Sequence, residues 1–137
     1  MSLMASDPGK RKTMTDNTTS RGLGKPYAVA AIIGIVVWWL IVLVDGVSEA
    51  WDADIYWSAA YPLHLIVCAI LGWRFRHRAW SYGLVLALAQ LVPMLIPPDE
   101  LSLIPLALAV LILLAIPLMI VGGLSSWVAG KFTSRAA

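Results

Sequence analysis

Residues 45–57 read DGVSEAWDADIYW, which places Asp45, Glu49, Asp52 and Asp54 within thirteen positions. Half of the chain's eight carboxylates therefore fall in one short stretch. On both sides the charges disappear. Residues 27–44 and 55–73 contain no Asp, Glu, Lys or Arg, and neither do 79–98 and 101–130. The first three runs match the roughly 17–25 apolar residues that cross a bilayer as a helix, and the fourth exceeds them, so that its first residues, 101–104, are expected in the interface. The acidic stretch thus reads as a loop between two apolar helices.

The rest of the composition agrees. Sixty per cent of the 137 residues are hydrophobic and only 13% are charged, against about a quarter charged in soluble domains. The expected fold is an all-α membrane protein of four transmembrane helices, over about 27–44, 55–73, 79–98 and 105–129. The helices form two hairpins in a compact bundle. Pro105 suits the first turn of the fourth helix, where its missing N–H costs nothing. Pro97-Pro98 is the expected end of the third. Either Asp52 or Asp54 is the expected N-cap of the second.

Charge placement orients the bundle. All ten Lys and Arg lie in residues 10–25, in the loop RFRHR (Arg74, Arg76, Arg78) or at Lys131 and Arg135. Four spans put these on one side. Asp45, Glu49, Asp52 and Asp54 fall on the other, together with Asp99 and Glu100. Lys and Arg favour the cytoplasmic face, so both termini are expected inside and the location expected is a bacterial inner membrane. Trp51, Tyr56 and Trp57 at one end, with Trp73, Trp80 and Trp127 at the other, fit interfacial aromatic belts.

Residues 1–26 are polar and basic without apolar period, which predicts a disordered cytoplasmic tail. Met14 offers an alternative start. Residues 131–137 form a second short tail. A signal peptide cleaved after Ser48-Glu49-Ala50 is disfavoured, because the preceding apolar region exceeds the usual roughly 7–15 residues.

Chemistry-bearing groups are sparse. There is no P-loop, GxGxxG, GxSxG or HExxH, and the single cysteine, Cys68, permits no disulfide within one chain. One chain cannot supply two histidines at matched depth for haem. No catalytic site, cofactor, metal or nucleic-acid partner is expected, and the chain reads as non-enzymatic.

What remains is a set of polar groups at mid-span. His64 is the central residue of 55–73, Gln90 lies near the middle of the next span, and Pro117 sits inside the fourth, where it cannot bond the Leu113 carbonyl. Tyr61 shares the His64 face. Polar groups at that depth face protein or water rather than lipid, so these residues form a candidate cluster. The outer acids would share one face if the first helix continued through Asp45, Glu49 and Asp52, and would then contact a partner or cations. Arg74, Arg76 and Arg78 are placed to meet anionic lipid headgroups. Small residues at packing spacing mark helix contacts: Ala30 and Gly34, Gly83 and Ala87, and Gly122, Ser126 and Gly130.

Two expectations follow. The first is an accessory, assembly or partner-binding subunit whose partners are the lipid bilayer and other membrane subunits or further copies of itself. The second is a small homo-oligomeric transporter or channel for protons, cations or small molecules, with His64 and Gln90 at its midplane.

Overall fold

Three of the four apolar runs fold into helices long and apolar enough to cross a membrane: Gly24–Asp45, Tyr56–Arg74 and Ile104–Ser134, of 22, 19 and 31 residues. The fourth does not. Trp80–Met94 is a shorter apolar helix, about 22 Å long at 1.5 Å per residue against a hydrocarbon core of about 30 Å. The structure, a computed structural model, describes residues 8–96 and 102–135, with side chains from 24 to 96 and from 102 to 134. Among the described residues the chain is all-helical. It comprises α1 (Pro8–Asp45), a 3-10 turn (Ala50–Asp52), a π-helical segment (Tyr56–Ala60) leading into α2 (Tyr61–Arg74), α3 (Trp80–Ala89), α4 (Leu91–Met94) and α5 (Ile104–Arg135).

Several boundaries differ from the sequence reading. Helix α1 begins at Pro8, inside the segment expected to be an irregular tail. Extending a helix that an apolar span has already nucleated costs little per residue. The third expected span breaks at Gln90 because of Pro93, which cannot donate to the Ala89 carbonyl and whose ring crowds it. The chain tightens there instead, and the Gln90 amide donates to the Ala87 carbonyl at 3.1 Å. Pro97, Pro98, Asp99 and Glu100 lie outside the described residues. Pro105 does occupy the first turn of α5.

Of the two expected hairpins, the one formed by the third and fourth apolar runs is packed and the first is not. Helix α5 runs along both α2 and α3, and α1 runs along α3, whereas α1 and α2 scarcely touch. The second hairpin is therefore closed and the first open, and the order around the bundle is α1, α3, α5, α2.

Small residues explain this order. A Cβ on Gly83 would stand 2.5 Å from the Leu118 carbonyl carbon, so α3 lies directly on the α5 backbone. Gly72 and Gly122 bring α2 and α5 together in the same way, and Gly34 seats α1 against the Leu86 carbonyl. Ala30 and Ala87 are fully buried in the same core, as is Cys68. Such contacts replace the hydrophobic drive that lipid does not supply. Gly130 has open space beside it and Ser126 is half-buried, so the expected packing stripe of α5 narrows to Gly122.

Candidate functional site

The site is built by a proline. Pro62 has no N–H for the Ser58 carbonyl, and its ring would clash with it in a regular helix. The ladder widens instead, and the Tyr61 amide reaches the Tyr56 carbonyl, five residues back. A π-turn of this kind changes which side chains share a face. Here it stacks Tyr56 beside Tyr61, with ring centroids 6.3 Å apart, and points both inward with His64, whose ring lies 6.3 Å from that of Tyr56.

Each hydroxyl finds a partner on another helix. The Tyr56 hydroxyl donates to Gln90 Oε1 at 3.0 Å, with both residues buried. The Tyr61 hydroxyl donates to the Leu114 carbonyl at 3.0 Å. His64 differs. It is fully buried, and neither Nδ1 nor Nε2 has a hydrogen-bond partner among the described residues. A buried polar group without a partner costs about 1–3 kcal/mol, so this imidazole weakens the bundle that encloses it.

Tyr56 thus connects three of the residues singled out in the sequence. Tyr61, His64 and Gln90 converge, but the contact to Gln90 is made by Tyr56 and not by His64. Tyr56 had been read as part of the aromatic belt. The clue to its role was Pro62, whose effect on the preceding turn moves Tyr56 inward. Pro117 lies within α5 but is exposed, so it is not part of the cluster. The carbonyl that meets the cluster belongs to Leu114, one residue beyond the Leu113 carbonyl expected to be left without a donor.

At the acidic end α1 stops at Asp45 and the chain turns at Gly46, whose φ is +66° and whose amide donates to the Val42 carbonyl at 3.0 Å. That bond is the usual left-handed helix cap. Asp45, Glu49 and Asp52 therefore do not share a helical face. Their segment folds back onto the bundle instead. Ala50 and Ala53 are buried, Trp51 packs edge-on against Trp38 at 5.0 Å, and Trp57 Nε1 donates to the Trp51 carbonyl at 2.8 Å. Asp45, Asp52 and Asp54 remain exposed. Neither Asp52 nor Asp54 caps the following helix with its side chain; Asp54 already lies in its first turn. The Asp54 carbonyl accepts from Ser58 Oγ at 2.9 Å.

At the basic end the three arginines separate. Arg76 Nη2 donates to the Ala129 carbonyl at 2.8 Å and also to Thr133 Oγ1, tying the loop to α5. Arg78 adopts φ +50°, and its carbonyl accepts from Ser81. Arg74 lies over the Phe75 ring at 5.4 Å. Trp73, Trp80 and Trp127 are exposed near this end, and Trp39 and Trp57 are exposed toward the other.

Two grooves mark the outer surface. One, of about 240 Å³, runs between α1 and α2 toward the acidic end and is wholly apolar. The other, of about 410 Å³, lies between α2 and α5 at the basic end, and Arg74 contributes to its wall. Among the described residues no three His, Cys, Asp or Glu side chains are grouped to hold a metal ion. The chain matches no protein-family model, and no curated protein or solved structure is significantly similar to it.

Proposed function

We propose that the chain is a non-enzymatic accessory subunit of a bacterial inner membrane, with RFRHR and both termini cytoplasmic, which receives an apolar helix of a partner between α1 and α2. The observation that carries this reading is the groove there. Val37, Leu40, Ile41 and Val44 line it from α1 at the three- and four-residue steps of one helix face, the pattern that recognises a helix laid in a groove. Ala59 and Ala60 form its opposite wall, and small residues let a partner's backbone approach closely. Asp45 and Asp54, exposed at its outer end, favour a partner with Lys or Arg just beyond its span.

The test begins with gentle extraction from the native membrane, the mass of the assembly and the identity of every chain in it. Ala59→Trp places a large ring in the groove from an exposed position, so the bundle itself still folds. Loss of the partner in this variant supports the reading. A partner retained at full occupancy removes the groove from it.

His64 favours a second reading, an oligomeric conductor of protons or small molecules in which a permeant entering the bundle meets the imidazole. Flux into liposomes that depends on pH and vanishes in His64→Ala would support it. Assembly unchanged and flux absent in both proteins would not.

A further inference from the structure

We infer that the groove between α2 and α5 at the basic end is a discrete site for one anionic phospholipid, held by Arg74 alone of the three loop arginines. The inference rests on the chain being membrane-embedded and uses no property of the α1/α2 groove.

The groove combines the two requirements of such a ligand. Ala69, Ile70 and Trp73 give it an apolar wall along the last turns of α2. Ser125 forms the α5 side, and its hydroxyl is turned away to the Val121 carbonyl at 2.8 Å, so the surface it offers a hydrocarbon chain is apolar as well. Trp73 and Phe132, with ring centroids 6.0 Å apart, bound the end nearest the loop. An acyl chain fits this wall; a soluble anion gains nothing from it.

Charge then selects the headgroup. Arg74 ends α2 and lines the groove. Among the described residues its guanidinium has a ring contact and neither a hydrogen bond nor an ion pair. Its donors are left for a phosphate, which a guanidinium binds through two parallel N–H bonds. The other loop arginines are differently placed. Arg76 is committed to Ala129 and Thr133 on α5, and Arg78 does not line the groove. Arg74 is the arginine whose charge and apolar floor belong to the same surface.

The experiment uses the full chain in neutral detergent, with phosphatidylglycerol or phosphatidylcholine added at equal mole fraction, and counts retained lipids by native mass spectrometry. One phosphatidylglycerol per chain is expected, preferred over phosphatidylcholine by about tenfold, because both offer Arg74 a phosphate but phosphatidylcholine also brings a cationic choline close to the guanidinium. Arg74→Gln should abolish the preference, and Arg74→Lys should retain part of it. Arg78→Gln removes the same charge from the same loop and should change retention by less than about twofold. Ala69→Trp should lower retention of both lipids. Equal losses in Arg74→Gln and Arg78→Gln would overturn the site in favour of diffuse attraction to the loop. Displacement of the lipid by equimolar inorganic phosphate would show that the headgroup binds without the groove, and would equally overturn it.

Discussion

The two ends of the bundle are packed by different means. Toward the basic end, Ala30, Cys68, Ala79, Ala87 and Ala115 share the core with Leu71, Tyr82, Leu86 and Leu118, and backbones meet through Gly72, Gly83 and Gly122. Toward the acidic end, the core is Trp38, Ile41, Tyr56 and Met94, with Ala60, Ala107 and, from the folded-back loop, Ala50 and Ala53 among them. Large rings hold helices apart, and this is where α1 and α2 part to leave the apolar groove. One half is closed by contact between main chains, while the other is filled by side chains with polar ends. The difference teaches where change is tolerated. The glycine half has no room for an added atom, and the aromatic half can exchange one side chain for another.

The largest expected effect is therefore in the glycine half. Gly72→Val would drive methyl groups into the Gly122 backbone, which cannot move without separating α2 from α5. Overpacking of this kind costs about 3 kcal/mol or more, read as loss of folded protein or a lowered midpoint in denaturing mixed micelles. Gly130→Ala, beside open space on the same helix as Gly122, should stay within about 0.5 kcal/mol. Equal effects at the two positions would mean that the α2–α5 contact is not made by backbones.

Next comes the hydrogen bond that joins α2 to the broken third helix. Tyr56→Phe keeps the ring and removes the donor, leaving Gln90 Oε1 buried without it, at a cost of about 2 kcal/mol. Gln90→Leu in the same background should recover most of that loss. A double-mutant cycle on the pair should return a coupling of about 0.6–1.7 kcal/mol. No coupling would mean that Tyr56 stabilises the acidic half by its ring alone.

Much of this contrast was legible in the sequence, and the rest was hidden for identifiable reasons. Charge-free runs announce four apolar helices, because lipid tolerates few charges on a span, and three of them are long enough to cross a membrane. Ala30, Gly34, Gly83, Ala87 and Gly122 were readable as contacts because spacing is a one-dimensional property. His64 and Gln90, singled out as polar groups inside apolar runs, are both buried. Which helices touch was not readable, since small-residue faces on α1, α2, α3 and α5 do not name their partners. Two local errors had one origin, namely prolines whose consequences fall several residues earlier. Pro93 breaks the third helix at Gln90 and Pro62 widens α2 at Tyr56, so each acts through a carbonyl four residues back. Gly46 ended α1 where a continuous acidic face had been expected; a lone glycine after an apolar run signals a left-handed cap only if the helix actually stops there.

His64 offers a change of opposite sign. Because neither ring nitrogen has a partner among the described residues, replacing the imidazole by a side chain of similar size should relieve a penalty. His64→Leu is expected to raise stability by about 1 kcal/mol, measured as a higher unfolding midpoint under the same conditions as Tyr56→Phe. A lower midpoint would mean that His64 is hydrogen-bonded in the intact assembly, which would favour the oligomeric reading over the accessory one. The outcome bears directly on the contrast, because a stabilising substitution is expected in the aromatic half and none is expected at the glycine crossings.

The smallest effects come from the turns at the two ends, which take the same backbone conformation with different residues. Gly46 has φ +66° and Arg78 has φ +50°. A Cβ at Gly46 would meet nothing within 4 Å, so Gly46→Ala isolates the backbone term and should cost about 1 kcal/mol or slightly less. Arg78→Gly relieves the same strain, but it also gives the unfolded chain more freedom, which opposes the gain. The net change should be under about 0.5 kcal/mol. Thermal midpoints of the two variants should therefore move by unequal amounts, the first clearly down and the second barely at all. A large gain from Arg78→Gly would show that the basic-end turn stores strain as well as carrying charge. A large loss would show that the Arg78 side chain holds the loop, and the division of labour among the three arginines would have to be redrawn with Arg78 beside Arg76 as a structural tie.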